Sequence, residues 1–122
     1  EIKSVDEVLM QKVTDYIEQH ISDPQMNVET LADHVGMSRV HMHRKLKELT
    51  GRSAHEFIRT IRLQQAAILL GEKKLNISEV AYALGYTNLS HFSSTFKDFY
   101  GASPKEYMEK HLEEESKKKE SE

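Results

Sequence analysis

Apolar residues recur along this chain at intervals of three and four, with little sign of period-2 alternation, a pattern that predicts helices rather than strands. Val5, Val8, Leu9, Val13, Tyr16, Ile17 and Ile21 form a first stripe, with Ser4 and Glu7 spaced as a capping box in front of it. Asp23-Pro24 breaks that helix. Asn27 then caps a short one in which Val28, Leu31, Ala32 and Val35 face inward, and Gly36 ends it. Across the turn Gly36-Met37-Ser38, the stretch Ser38 to Gly51 places Met42, Leu46 and Leu49 at i, i+4, i+7 on one inward stripe. Ser53 with Glu56 opens a longer helix from Ala54 to about Leu70, roughly 25 Å at 1.5 Å per residue, with Phe57, Ile58, Ile61 and Leu69 inward.

After Gly71-Glu72-Lys73-Lys74 the pattern begins again. Asn76 with Glu79 caps a short helix with Ile77, Val80, Ala81 and Leu84 inside, and Gly85 ends it. The next helix carries Phe92, Phe96 and Phe99, the inward positions of Met42, Leu46 and Leu49 displaced by fifty, and it stops at Gly101 as the first stops at Gly51. Gly36 and Gly85 are forty-nine apart, so the second turn is one residue longer. Ser103-Pro104-Lys105-Glu106 then starts a closing helix with Tyr107, Met108 and Leu112. The expected fold is all-α, about seven helices, with two helix-turn-helix subdomains joined by a long linker helix. The expected boundaries are 1–52 for the first helix and first helix-turn-helix, 53–71 for the linker, 72–112 for the second unit and closing helix, and 113–122 for a charged, disordered tail.

The helix from Ser38 to Gly51 has a second face made of Val40, His43, Arg44 and Lys47. A guanidinium fork, an imidazole, an ammonium and one small apolar group suit base edges and phosphates. In the second repeat Ser90, Ser93, Ser94 and Lys97 point outward when the three Phe point inward. A net charge of −3 argues weakly against a polyanionic partner until it is divided along the chain. Residues 1–35 carry a local net of −6, residues 36–63 a net of +5 from seven Arg and Lys against Glu48 and Glu56, and the remainder −2. Binding follows the patch rather than the total.

Other chemistry finds little support. With no Cys there is no disulfide framework and no thiolate zinc site, and no apolar run approaches the ~20 residues of a membrane helix. No signal peptide is seen, so a cytoplasmic protein is expected. His41 and His43 are i, i+2 and point apart, and the other His are scattered, so no metal and no cofactor is expected. Nothing resembles a nucleophile elbow or a paired acid and base, and the chain is not expected to be an enzyme.

The stretches LADHVGMSRVHMHRKLKELTG, IRLQQAAILL, ISEVAYALGY and FKDFYGASPKEY resemble the DNA-binding domain of the AraC-type (AraC/XylS) transcriptional regulators. The acidic first helix and the wording MSR...RKLKELTG look further like the C-terminal effector domains of hybrid two-component regulators. The resemblance implies sequence-specific binding of double-stranded DNA, with a recognition helix of each unit in successive major-groove segments. Its base-reading positions fall on Val40, His43 and Arg44 and on Leu89, Ser90 and Ser94. Arg39, Lys47, Arg52, Thr87, Asn88, Ser93 and Lys97 would contact phosphates, and Arg62 would be a scaffold residue with an ion-pair or capping role. Many members carry Arg where this chain has Ser94, which leaves the second helix rich in hydroxyls. RNA polymerase is the further partner implied, with the isolated domain a monomer and a longer protein able to dimerise. The rival reading is a helical interaction module whose basic patch meets an acidic protein.

Overall fold

The computed structural model describes residues 3–110. They form α1 (Val5–Gln19), α2 (Val28–Val35), α3 (Arg39–Thr50), α4 (Ala54–Glu72), α5 (Ile77–Ala83) and α6 (Leu89–Tyr100), and a further helix, α7, described over 104–110. No strand occurs among the described residues. The chain divides into two compact units, Glu1–Arg62 and Leu63–Glu122, and the division falls inside α4. Leu112 and the charged stretch 113–122, expected to close the last helix and to be disordered, lie outside the described residues.

In the first unit Leu9, Val13 and Ile17 of α1 pack with Val28, Leu31 and Ala32 of α2, Met42 and Leu46 of α3, and Ala54 and Ile58 of α4. Each large apolar side chain so buried contributes about 1.5–3 kcal/mol. The stripe expected for α1 is too long at both ends. Val5 is 85% and Val8 40% exposed, and Ile21 lies beyond the end of the helix at Gln19. The reason is length: α1 has 15 residues and α2 only 8, so roughly 22 Å of one helix meets roughly 12 Å of the other at 1.5 Å per residue. Ser4 accepts from the Glu7 amide at 3.1 Å, as its spacing predicts. Arg62 donates from Nη2 to the Asp23 carbonyl at 3.0 Å, so it ties the break after α1 to α4. That is a scaffold role, made through a backbone carbonyl where an ion pair or a cap was expected.

The second unit is built on rings where the first is built on aliphatic chains. Leu63, Ala66 and Leu70 of α4, Val80 and Ala81 of α5, and Phe92 and Phe96 of α6 are fully buried. The Phe96 ring centroid lies 4.7 Å from Tyr100 and 5.5 Å from Tyr107, the latter edge-on, a favoured geometry for aromatic pairs. Tyr100 donates its hydroxyl to the Leu63 carbonyl at 3.3 Å. Burial, and then neighbouring Tyr107, push its phenol pKa up, so it stays a neutral donor. Phe99, expected inward, is instead 36% exposed. Seven residues on from the fully buried Phe92 it is turned only about 20° from it, so its exposure comes from its place in the last turn of α6 and not from its direction. The linker helix also overruns its expected stop: α4 continues through Gly71 to Glu72, and the left-handed residue that ends it is Lys73, at φ 59°.

Candidate nucleic-acid interface

The two candidate recognition helices are cut to one template. Ser38 caps α3 by accepting from the His41 amide at 3.1 Å, and Asn88 caps α6 by accepting from the His91 amide at 3.0 Å. Both helices have 12 residues and end on a left-handed glycine, Gly51 at φ 76° and Gly101 at φ 78°. The amides of those glycines return to the carbonyls of Lys47 and Lys97 at 2.9 and 2.7 Å. Met42 and Leu46, and fifty residues on Phe92 and Phe96, are fully buried. The helices before them match at a displacement of forty-nine. Asn27 and Asn76 each form a capping box, and Met37 and Tyr86 donate back to Ala32 and Ala81 at 2.9 and 3.0 Å. The additional residue of the second turn is therefore Thr87, between Tyr86 and the Asn88 cap.

Fixing the inward stripe fixes the outward one. On α3, Arg39, Arg44 and Lys47 are exposed, Val40 is 68% exposed, and His43 is half-buried. Arg52 follows just beyond Gly51, also exposed. On α6, Leu89, Ser90, Ser94 and Lys97 are exposed and Ser93 is half-buried, with Thr87 and Asn88 exposed ahead of the helix. Each unit thus gathers its predicted residues on one helix and its flanking turn. The first presents four cations, Arg39, Arg44, Lys47 and Arg52, and the second presents one, Lys97.

Several features of this surface were not visible in the spacing of residues. Lys47 donates from Nζ to the Gly51 carbonyl at 3.0 Å, which sets its charge against the negative end of the helix dipole and leaves further N–H groups for a phosphate. Thr50 donates to the Leu46 carbonyl at 2.7 Å and accepts from the Arg52 amide at 3.1 Å, so it orders the turn that carries Arg52. Lys45 lies 3.1 Å from Asp6 of α1 and 3.6 Å from Glu48. The hydrogen bond to Asp6 is the main cause of its raised pKa. Finally, neither α3 nor α6 has an acidic residue in its first turn, whereas α1, α2, α4 and α5 all do. An acid there stabilises a helix but repels a phosphate, so the two exceptions leave those turns open to an anion.

Among the described residues no three His, Asp or Glu side chains come together as a group that could hold a metal ion. No described helix is long and apolar enough to cross a membrane.

A helix-turn-helix domain family model matches residues 31–110. Histidine kinase P4 of Formosa agariphila is 33% identical over 93% of this chain, which spans 8% of that protein's length. Among solved structures, the C-terminal domain of AraT, a response regulator from Geobacillus stearothermophilus, superposes with a TM-score of 0.78 at 31% identity over 84% of each chain. The DNA-binding domain of AdpA, solved in complex with a target DNA, superposes with a TM-score of 0.77 at 31% identity, over 84% of this chain and 91% of that one.

Proposed function

The chain belongs to the AraC-type family of helix-turn-helix DNA-binding domains, and from that premise we propose that it is the sequence-reading module of a bacterial transcription regulator, with α3 and α6 in successive major-groove segments of one duplex. The observation that carries this reading is the outer face of α3. Arg44 and Lys47 stand exposed on it, with Val40 beside them, opposite the fully buried Met42 and Leu46.

In this reading Arg44 takes a guanine bidentately, His43, Ser90 and Ser94 hydrogen-bond base edges, and Val40 and Leu89 meet thymine methyls. Arg39, Lys47, Arg52 and Lys97 neutralise phosphates, and Thr87, Asn88 and Ser93 donate to them without charge. Asn88 uses its oxygen as the α6 cap, which leaves its amide N–H groups for that purpose. Histidine kinase P4 and the response regulator AraT support a two-component protein in which the domain is the output end, and a cytoplasmic location is part of this reading. Signal input and pairing would come from other parts of that protein, and RNA polymerase would be the partner on DNA. The domain by itself would bind as a monomer.

The test is the salt dependence of binding to duplex DNA. Four cationic phosphate contacts predict a slope of log K against log[salt] on the order of −4, at about 0.9 per contact. A flat response would contradict the reading and favour an interaction module for an acidic protein.

A further inference from the structure

Lys45 sits on α3 between Arg44 and Lys47, and by sequence it belongs to the basic cluster that would face DNA. Its surroundings say otherwise. Two carboxylates meet its ammonium, Asp6 of α1 at 3.1 Å and Glu48 one turn on at 3.6 Å. Its side chain is 24% exposed against 47% for Asp6, while Arg39, Arg44 and Lys47 are exposed. On a helix, the residue after Arg44 is turned about 100° from it, which puts Lys45 on the flank of α3.

We infer that Lys45 is a positioning residue: its ion pair with Asp6 holds one flank of α3 against α1 and sets the angle at which Arg44 meets a base. Met42 and Leu46 anchor α3 along a single stripe, and a single stripe resists lifting better than rotation about the helix's own axis. A contact off that stripe resists rotation. In the second unit the residue fifty on is Thr95, whose hydroxyl donates to the His91 carbonyl of its own helix at 2.8 Å. The tether therefore belongs to the recognition helix that carries Arg44. This inference rests on the DNA-binding reading.

The test uses this chain, a duplex it selects from random sequence and a scrambled duplex of the same composition. A partly exposed ion pair shifts an equilibrium by about one-and-a-half- to fivefold. Lys45→Met and Asp6→Asn should each weaken the selected duplex by that factor, leave the scrambled duplex and the salt slope unchanged, and in combination do no more than either alone. Asp6→Asn leaves the sequence of α3 unchanged, so it carries the test if Lys45→Met folds poorly. The exchanged pair, Asp6→Lys with Lys45→Asp, should restore the ratio between the two duplexes. The inference is overturned if Lys45→Met weakens both duplexes alike and flattens the salt slope by about 0.9, the mark of a phosphate contact. It is overturned equally if neither single variant changes the ratio. If the unsubstituted chain binds no duplex in a salt-dependent way, the DNA-binding reading fails and this inference with it.

Discussion

Arg62 and Asp23 are thirty-nine residues apart in sequence, yet the guanidinium of one donates to the backbone carbonyl of the other at 3.0 Å. The same carbonyl accepts from the Met26 amide at 3.2 Å, and the Asp23 carboxylate accepts from the Gln25 amide at 2.9 Å. Both lone pairs of that oxygen are thus used, and the connection from α1 to α2 is fixed to the body of the first unit.

Arg62→Leu should therefore cost about 1–3 kcal/mol, the usual range for losing a charged hydrogen-bond partner. It should leave the salt slope of DNA binding unchanged. Denaturant unfolding and a salt titration check the two halves of this expectation, and a reduced slope would place Arg62 on the DNA instead.

In the second unit, Phe96→Ala should cost about 3–5 kcal/mol and lower helix content broadly, because its ring is fully buried among Tyr100, Tyr107 and Phe92. Phe99→Ala, at a position 36% exposed, should cost much less. Equal shifts in melting midpoint for the two variants would show that the three Phe form one uniform row.

Gly51→Ala and Gly101→Ala should be equally and modestly destabilising. An added Cβ meets nothing within 4 Å at either site, so the whole effect comes from holding Ala at φ 76° or 78°, about 1–2 kcal/mol each. A clear difference between them in chemical unfolding would mean that the two turns are not equivalent.

Arg44→Ala should cost about 1–3 kcal/mol on a selected site and relax specificity at one base pair, whereas Lys47→Ala should weaken all sequences alike. Competition titrations with selected and random duplexes separate the two. Equal losses on both duplexes for Arg44→Ala would make it a phosphate contact.

The repeat of fifty was legible in the sequence because a helix must bury a stripe and mark its ends, and both demands fall on residue types that are easy to read. Met42 and Phe92, Leu46 and Phe96, Gly51 and Gly101 occupy matching places in the structure for that reason. The ends of stripes were less legible. Whether Val5 or Phe99 is covered depends on where a neighbouring helix stops, which local periodicity does not contain. Gly71 read as a stop, but Leu70 beside it is fully buried, and packing carries the helix two residues further, to Glu72, than propensity alone would. The outward residues of α3 and α6 followed from the stripes. The partner of Lys45 did not, since no local pattern connects it with Asp6 across thirty-nine positions.

Two recognition helices of one template should read DNA unequally, α3 with Arg44 and α6 with hydroxyls. Hydroxyls donate and accept at either base type, so they discriminate less than a bidentate guanidinium. The direct measurement is a base-by-base substitution scan of a site selected by this chain, repeated with Arg44→Ala and Ser94→Ala. It should show two half-sites about one helical turn apart, a stringent one relaxed by Arg44→Ala and a looser one, read largely through shape and phosphates, that Ser94→Ala changes little. Two halves of equal stringency, or a greater loss of specificity from Ser94→Ala than from Arg44→Ala, would contradict that asymmetry.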